Sequence, residues 1–159
     1  IMENVMRLEG VSRIVQIGIR DFCEEELERI ASSTAGVRTF FDVQLAAARS
    51  RGALGESFAA AVDALPETVY VSFDIDGLDP ALCPHTGTPV PGGLSFHEAS
   101  ALLGAVVRSG RRIVGFDLNE VAPGPDDDEW DANVGARLLY KMIGWTLLSQ
   151  HLIEPPHLP

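Results

Sequence analysis

The sequence has little cysteine, little positive charge and no long apolar run. Two cysteines in 159 residues cannot build a disulfide framework, so a reducing, cytoplasmic location is predicted. No apolar run reaches about 18 residues, which argues against a membrane-spanning helix. The 12 basic residues are outnumbered by 23 acidic ones, and the formal net charge is -11. This balance argues against a nucleic acid or an anionic membrane as partner, and it favours a cation.

Four runs rich in β-branched and aromatic residues alternate with helix-like segments. The runs span residues 11–19, 37–43, 68–75 and 111–118. Helices are predicted over 24–33, over 43–65 in two pieces broken near Gly52 and Gly55, over 95–108 and over 126–148, after an opening helix within 1–10. This alternation predicts an α/β fold with a mostly parallel sheet, and the continuous apolar strands predict burial on both faces. Residues 1–150 are expected to be one domain or part of one, and 151–159 an extended tail.

Two of the predicted helices carry recognisable start signals. The helix over 95–108 opens with SFHE, in which Ser95 and Glu98 are placed to form a capping box. The helix over 126–148 opens with the acidic run DDDE, which suits the positive end of a helix dipole.

Acidic residues lie at or just beyond the end of every predicted strand. Ligands of parallel sheets bind beyond the carboxyl ends of the strands, so these acids are expected at one edge of the sheet. A cation or a cationic ligand there would compensate their charge. For some of them a purely structural alternative exists, since Asp21 and Asp42 could cap the helices that follow and Asp117 could bond within a turn. The acids are Asp21, Asp42, Asp74, Asp76, Asp117 and Glu120.

Asp74 and Asp76 have the spacing of neighbours on one face of a strand, with Ile75 on the other face. Two carboxylates held side by side repel each other unless they share a proton or a metal ion. Hard oxygen ligands suit Mg²⁺, Mn²⁺ or Ca²⁺. The following loop, GLDPALCPHTGTPVPGG, contains four prolines and four glycines, a composition typical of a pre-shaped functional loop and also of a rigid turn.

Three segments of the chain resemble the ureohydrolase family, the arginases and agmatinases. They are SFDIDGLDP with TGTPVPGGLS (72–80 and 86–95), GFDLNEVAP (115–123) and IVQIGIRD (14–21), and they occur in the family's order. The resemblance implies a three-layer α/β/α fold, of which this chain is expected to hold the C-terminal part of the sheet. It also implies two Mn²⁺ ions per complete site and a bridging hydroxide that attacks a guanidinium carbon and releases urea.

The resemblance assigns a role to each of five residues. Asp74 and Asp76 match two carboxylate metal ligands, with Asp74 as the bridging one. Glu120 matches the carboxylate that binds and orients the guanidinium group, and it is the catalytic candidate. Thr88 matches the loop that lines the substrate pocket, and Asp21 the segment that meets the other end of the substrate.

The chain departs from the family pattern in its metal ligands. The family takes four more ligands from GGxHS-like and DAHxD-like motifs, which are absent, and none of the four histidines replaces them. We therefore expect a C-terminal half that is inactive as an isolated chain. His85 is either a contact at the pocket rim or a solvent-exposed residue, and His97, His151 and His157 are expected to be inert.

A second departure concerns the substrate. Cys23 stands where arginases carry an acid that reads the amino-acid end of arginine, although Glu24 to Glu26 could substitute. Both cysteines, Cys23 and Cys83, are expected to be packing residues. The substrate is therefore predicted to be agmatine-like or arginine-like. Formiminoglutamate is disfavoured because an acidic substrate would prefer basic pocket residues.

Other classes of protein remain as alternatives. One is a non-catalytic fragment that serves binding or oligomerisation. Another is an unrelated α/β metal enzyme such as a DxD phosphatase, which is disfavoured because FDIDGLDP follows the third predicted strand rather than the first. Family resemblance further implies a homo-oligomer, a trimer or a hexamer, without nucleic-acid or membrane partners.

Overall fold

The computed structural model describes residues 2–32 and 36–155, without the side chains of residues 3 and 127. By their contacts the residues divide into two compact units, Ile1–Pro66 and Glu67–Pro159. The predicted domain limits stay a prediction. Of the predicted tail, residues 151–155 are exposed and lie outside helices and strands, and 156–159 are outside the described residues.

The first unit contains two strands and four helices. They are α1 (Met2–Val5), β1 (Ile14–Ile19), α2 (Glu24–Ser32), β2 (Val37–Phe41), α3 (Asp42–Ser50) and α4 (Leu54–Asp63). Strands β1 and β2 pair in parallel, beginning with Ile14 opposite Val37. The predicted break between two helices is confirmed, and Gly52 adopts φ +71° there. The opening helix is much shorter than expected, since α1 ends at Val5.

Apolar side chains of α3 and α4 form the buried part of this unit. Leu45 and Ala61 are each 1% exposed, and Phe58 and Val62 are also buried. A guanidinium nitrogen of Arg13, next to β1, donates a hydrogen bond to the Ala64 carbonyl at 3.0 Å. This bond connects the start of the sheet to the residue that follows α4.

The second unit contains two strands, two helices and two 3-10 turns. They are β3 (Thr68–Asp74), a 3-10 turn (Ile75–Gly77), α5 (Phe96–Arg108), β4 (Arg112–Asn119), a 3-10 turn (Pro125–Asp127) and α6 (Trp130–Ser149). Strands β3 and β4 are parallel, with Ser72 opposite Asp117 and Asp74 opposite Asn119. The predicted α/β class with parallel strand pairing is confirmed in both units.

The two faces of the β3–β4 sheet differ, so the expectation of burial on both faces is wrong for this pair of strands. The apolar face packs on the buried residues Leu103 of α5 and Leu138 and Met142 of α6. On the opposite face Tyr70 is 61% exposed, and Ser72 and Asp74 are also exposed. The cause is the alternation of Val and Phe with Tyr, Ser and Asp along β3, which sends the two kinds of side chain to opposite faces.

The start signals of α5 and α6 had different outcomes. The capping box of α5 is confirmed, since the Glu98 N–H donates to Ser95 Oγ at 3.2 Å and the Ser95 N–H donates to Glu98 Oε2 at 2.8 Å. Helix α6 begins four residues later than expected, at Trp130. The acidic run before it includes a separate 3-10 turn in which Asp126 has φ +54°. None of the described helices is both long and apolar enough to cross a membrane.

Candidate active site

The two aspartates that follow the third strand lie in different structural elements. Asp74 is the last residue of β3, whereas Asp76 lies in the 3-10 turn, so the prediction that both occupy one strand is wrong. The reason is local, because Asp74 Oδ1 accepts a hydrogen bond from the Asp76 N–H at 3.1 Å and caps the turn. Ile75 between them is fully buried and is the first residue of the same 3-10 turn.

A third acid, Glu120, follows the residue that lies opposite Asp74 in the strand pair. Burial raises the pKa of the Asp74 carboxyl above its usual range, and the Asp76 N–H bond opposes this rise. The negative charges of Asp76 and Glu120 raise the same pKa further. Asp74 lies opposite Asn119 in the strand pair and accepts the Asp76 N–H, so Asp76 and Glu120 both adjoin the end of the β3–β4 sheet. A cation or a guanidinium group at this place would relieve their repulsion.

Glu120 directly follows β4 and has an unusual backbone. Its φ is +61°, a left-handed conformation that costs a residue other than glycine of the order of 1 kcal/mol or more. The Glu120 carbonyl accepts a hydrogen bond from Thr86 Oγ1 at 3.0 Å. A Cβ atom placed on Gly87 would lie 3.3 Å from Glu120 Oε2, so the carboxylate rests against the loop backbone.

The loop between β3 and α5 is closed at its base and reaches the aspartates. The Asp79 N–H donates to the Leu94 carbonyl at 2.9 Å, and the Leu94 N–H donates to the Gly77 carbonyl at 3.0 Å. Gly93 has φ +90°, and a Cβ there would meet the Leu78 carbonyl oxygen at 2.5 Å, so this closure requires glycine. Thr88 Oγ1 donates to Asp76 Oδ2 at 3.1 Å. The loop thus brings a hydroxyl to one of the predicted metal ligands.

His85 and Asp131 form a pair that the sequence did not indicate. Asp131 in α6 is fully buried. Its Oδ2 accepts the His85 N–H at 3.0 Å, and its Oδ1 lies 3.0 Å from His85 Nδ1. The His85 side chain is 25% exposed, which agrees with a rim position better than with full exposure. Asp131 lies two residues after the acidic run DDDE, and no local signal distinguishes it from those acids.

Asp117 has its hydrogen-bond partners on the exposed face of the β3–β4 sheet. Its Oδ1 accepts hydrogen bonds from Ser72 Oγ at 2.8 Å and from Asn119 Nδ2 at 2.6 Å. A hydrogen bond to Asp117 is also the main cause that raises the pKa of the Tyr70 phenol. Neither of the two predicted environments, the edge of the sheet or a turn, describes this residue, because the bond from Ser72 crosses the strand pair and the bond from Asn119 runs along β4.

Asp21 and Asp42 belong to the first unit. Asp42 is buried and is the first residue of α3, while the capping position is occupied by Phe41 without a side-chain cap. Asp42 therefore does not cap α3 as expected. Asp21 is exposed and precedes α2, where the Cys23 N–H donates to Glu26 Oε2 at 3.0 Å. The remaining histidines are His97 and His151, both exposed, and His157, which is outside the described residues.

The donor atoms fit part of a metal centre. Within residues 2–32 and 36–155, no three His, Cys, Asp or Glu side chains are placed to hold a metal ion together. Asp74 and Asp76 offer carboxylate oxygens, the ligand type that Mn²⁺ and Mg²⁺ accept. Two adjacent carboxylates suit such an ion, but a full coordination shell needs further donors.

Comparison with curated proteins finds relatives among ureohydrolases. N(1)-aminopropylagmatine ureohydrolase of Thermus thermophilus is 43% identical over 84 residues, which are 52% of this chain and 27% of that protein. Arginase-1 of Sus scrofa is 29% identical over 151 residues, which are 90% of this chain and 46% of that protein. The chain thus spans from about a quarter to about half of the length of these relatives.

Solved structures show the same fold. The agmatine ureohydrolase of Thermoplasma volcanium superposes with a TM-score of 0.72 at 27% identity and covers 95% of this chain and 48% of that one. The arginase of Bacillus caldovelox superposes with a TM-score of 0.70 at 27% identity and covers 84% and 43%. These likenesses confirm the predicted arginase-like α/β fold. The model of the Arginase family matches residues 1–144, and the chain therefore belongs to that family.

Proposed function

We propose that the protein hydrolyses a guanidino compound, agmatine-like or arginine-like, and releases urea. The observation that carries this proposal is the place of three acids at the end of the β3–β4 sheet: Asp74 ends β3 and accepts the Asp76 N–H, and Glu120 follows Asn119, the residue opposite Asp74. The chain belongs to the arginase family, and its curated relatives include enzymes named as ureohydrolases, arginases and agmatinases. These names support the proposal. The coarse activity, hydrolysis of guanidino compounds, is common to these relatives by name.

The metal-binding part of the proposal concerns Asp74 and Asp76. Their oxygens would hold Mn²⁺, two ions per complete site, with Asp74 as the bridging ligand. When bound, such a pair lowers the pKa of water and so supplies a nucleophile near neutral pH. Thr88 Oγ1 donates to Asp76 Oδ2 at 3.1 Å. Such a second contact fixes the orientation of a ligating carboxylate.

The substrate-binding part concerns Glu120. A planar guanidinium group donates paired hydrogen bonds that match a carboxylate. The fixed backbone around Glu120, with its carbonyl bonded to Thr86 Oγ1, holds the carboxylate against the loop at Gly87. Thr88 would line the pocket, and Asp21 would meet the other end of the substrate. The acidic character of Glu120 and Asp21 supports a cationic substrate over formiminoglutamate.

The chain alone offers two of six expected metal ligands, so we propose that activity requires the protein in its full length. A homo-oligomer, a trimer or hexamer, and a cytoplasmic location belong to the same proposal. The alternative, a fragment that only binds or oligomerises, predicts that Asp74, Asp76 and Glu120 tolerate replacement without functional loss.

The test is urea release by the full-length protein with agmatine, arginine and other guanidino compounds. Asp76→Ala should lower manganese content and activity together, because the ligand set loses a charge. Glu9→Gln, which removes one charge from an exposed site in the first unit, is the matched control. Unchanged metal content in Asp76→Ala would rule out the assigned ligand, and absence of urea release from every compound would rule out the function.

A further inference from the structure

The loop after β3 is fastened to the first turn of α6 by His85 and Asp131. Both oxygens of the fully buried Asp131 are engaged, one by the His85 N–H and the other by His85 Nδ1, each at 3.0 Å. A buried carboxylate that lost one of these partners would bear a desolvation cost of several kcal/mol. The two bonds are therefore a strong constraint on where residue 85 can lie.

The absence of a side chain at Gly124 leaves room for the imidazole ring of His85. A Cβ atom on Gly124 would lie 2.7 Å from His85 Cε1 and 2.8 Å from His85 Nδ1. Any side chain at 124 would therefore displace the imidazole ring. The preceding residue of α6 makes a second tie to the loop, since Trp130 Nε1 donates to the Ala81 carbonyl at 3.1 Å. The first turn of α6 thus sets the position of the loop at two points.

The residues that follow His85 contact the proposed site directly. Thr86 Oγ1 donates to the Glu120 carbonyl at 3.0 Å, and Thr88 Oγ1 donates to Asp76 Oδ2 at 3.1 Å. Gly87 between them lies against the Glu120 carboxylate. A shift of His85 would be passed within one to three residues to the groups proposed to bind guanidinium and metal.

We propose that His85 and Asp131 are positioning residues that set the place of Glu120 relative to Asp76 through the segment 86–88. They do not touch the reacting atoms. The expected effect on substrate rests on the proposed function. The attachment of the loop to α6 through His85 and Asp131 does not depend on that function. Loosening the pair should lower kcat/KM about tenfold to a hundredfold, the range found when supporting contacts of a site are removed. Most of the loss should be in KM, because Glu120 is the proposed guanidinium partner.

Three substitutions separate the positioning role from folding. Asp131→Asn keeps the shape but replaces the charged acceptor by a neutral amide, so both hydrogen bonds of His85 lose their ionic partner. His85→Asn keeps a donor near the place of Nδ1, whereas His85→Gln carries its amide one bond further out. The backbone N–H of residue 85 is retained in both. Glu129→Gln is the matched control, because it removes a charge from an exposed site two residues from Asp131.

The experiment measures amide hydrogen exchange at residues 85–88 and urea-release kinetics on the same full-length preparations. Asp131→Asn and His85→Gln should raise the exchange rate at residue 85 at least tenfold and raise KM, with the amides of α5 unchanged. His85→Asn should restore much of both properties, and Glu129→Gln should match the unsubstituted protein.

Three results would overturn the inference. The first is unchanged exchange at residues 85–88 in Asp131→Asn. The second is faster exchange with unaltered kcat and KM. The third is equal damage by His85→Asn and His85→Gln. If the unsubstituted protein released no urea, the proposed function would fail, and the exchange rates alone would then support or overturn the fastening of the loop.

Discussion

Asp74 is expected to reduce the stability of the metal-free chain at neutral pH. Its pKa is raised by burial and then by the charges of Asp76 and Glu120, so the folded state holds the proton more tightly than the unfolded state does. By linkage, this carboxyl lowers the free energy of unfolding as the pH rises from its unfolded pKa, about 3.9, through the folded pKa. Above that window the full cost of the buried charge is present.

Asp74→Asn should therefore stabilise the metal-free chain at pH 7. The amide oxygen of asparagine can still accept the Asp76 N–H, so the cap of the 3-10 turn is kept. Asp74 is exposed in part, and solvent screening limits the gain to about 0.5–1 kcal/mol. The gain should shrink as the pH falls through the folded pKa, because both forms are then neutral at residue 74.

The assay is urea denaturation of the 159-residue chain in the presence of a chelator, at pH 7 and at pH 4. Both tryptophans, Trp130 and Trp145, lie in the second unit, so their fluorescence reports the unit that contains Asp74. Glu9→Gln serves as control for the change in net charge. A loss of stability in Asp74→Asn, or a gain that does not depend on pH, would refute the electrostatic argument. In the full-length protein with manganese the sign should reverse, since ligand binding stabilises only a site that can bind.

Three further predictions concern the core, the sheet and the substrate. Leu138→Ala should lower the free energy of unfolding by about 2–5 kcal/mol in chemical denaturation, because Leu138 is fully buried, whereas Leu139→Ala, at a 39% exposed position, should cost little. Asp117→Asn should lower the raised pKa of Tyr70 in an ultraviolet titration, and Tyr70→Phe identifies the signal of this tyrosine. The hydrogen bond between the Tyr70 phenol and Asp117 is fully present below pH about 10 and is lost as the pH rises through the folded pKa. An unchanged titration curve in Asp117→Asn would exclude that hydrogen bond. Glu120→Gln should leave the manganese content of the full-length protein intact and raise KM for guanidino substrates, and an unaltered KM would remove Glu120 from the substrate site.

Much of the fold follows from short-range patterns in the sequence. The period of two in β3 and the reciprocal Ser95 and Glu98 bonds are local, and both agree with the structure. The strand bounds shift by only a few residues. The expectation of two buried faces failed because it treated β3 as a continuous apolar run and overlooked the polar set Tyr70, Ser72 and Asp74 within the strand.

The roles of the candidate site residues stay a prediction, and their local geometry followed from the sequence only in part. The spacing of Asp74 and Asp76 indicated neighbouring carboxylates. The negative charge of Asp76 raises the pKa of Asp74, which agrees with that indication. Strand alternation could not show that Asp76 leaves the strand, because a side-chain bond from Asp74 to the Asp76 N–H decides it. The left-handed backbone of Glu120 had no signal either, since glutamate has no preference for it.

The His85–Asp131 pair shows where local interpretation stops. Its members are 46 positions apart, and no local pattern connects the loop histidine with the acid in the first turn of α6. The helical periodicity of α6 adds one inference about Asp131. The position of residue 131 on the face shared by Val134 and Leu138 predicts that it is buried, and a buried carboxylate requires donors. This periodicity predicts that Asp131 has a hydrogen-bond donor, but it does not identify the donor as His85. The partner is set by the path of a loop that α6 itself holds in place, so it is a property of the assembled unit and not of either segment.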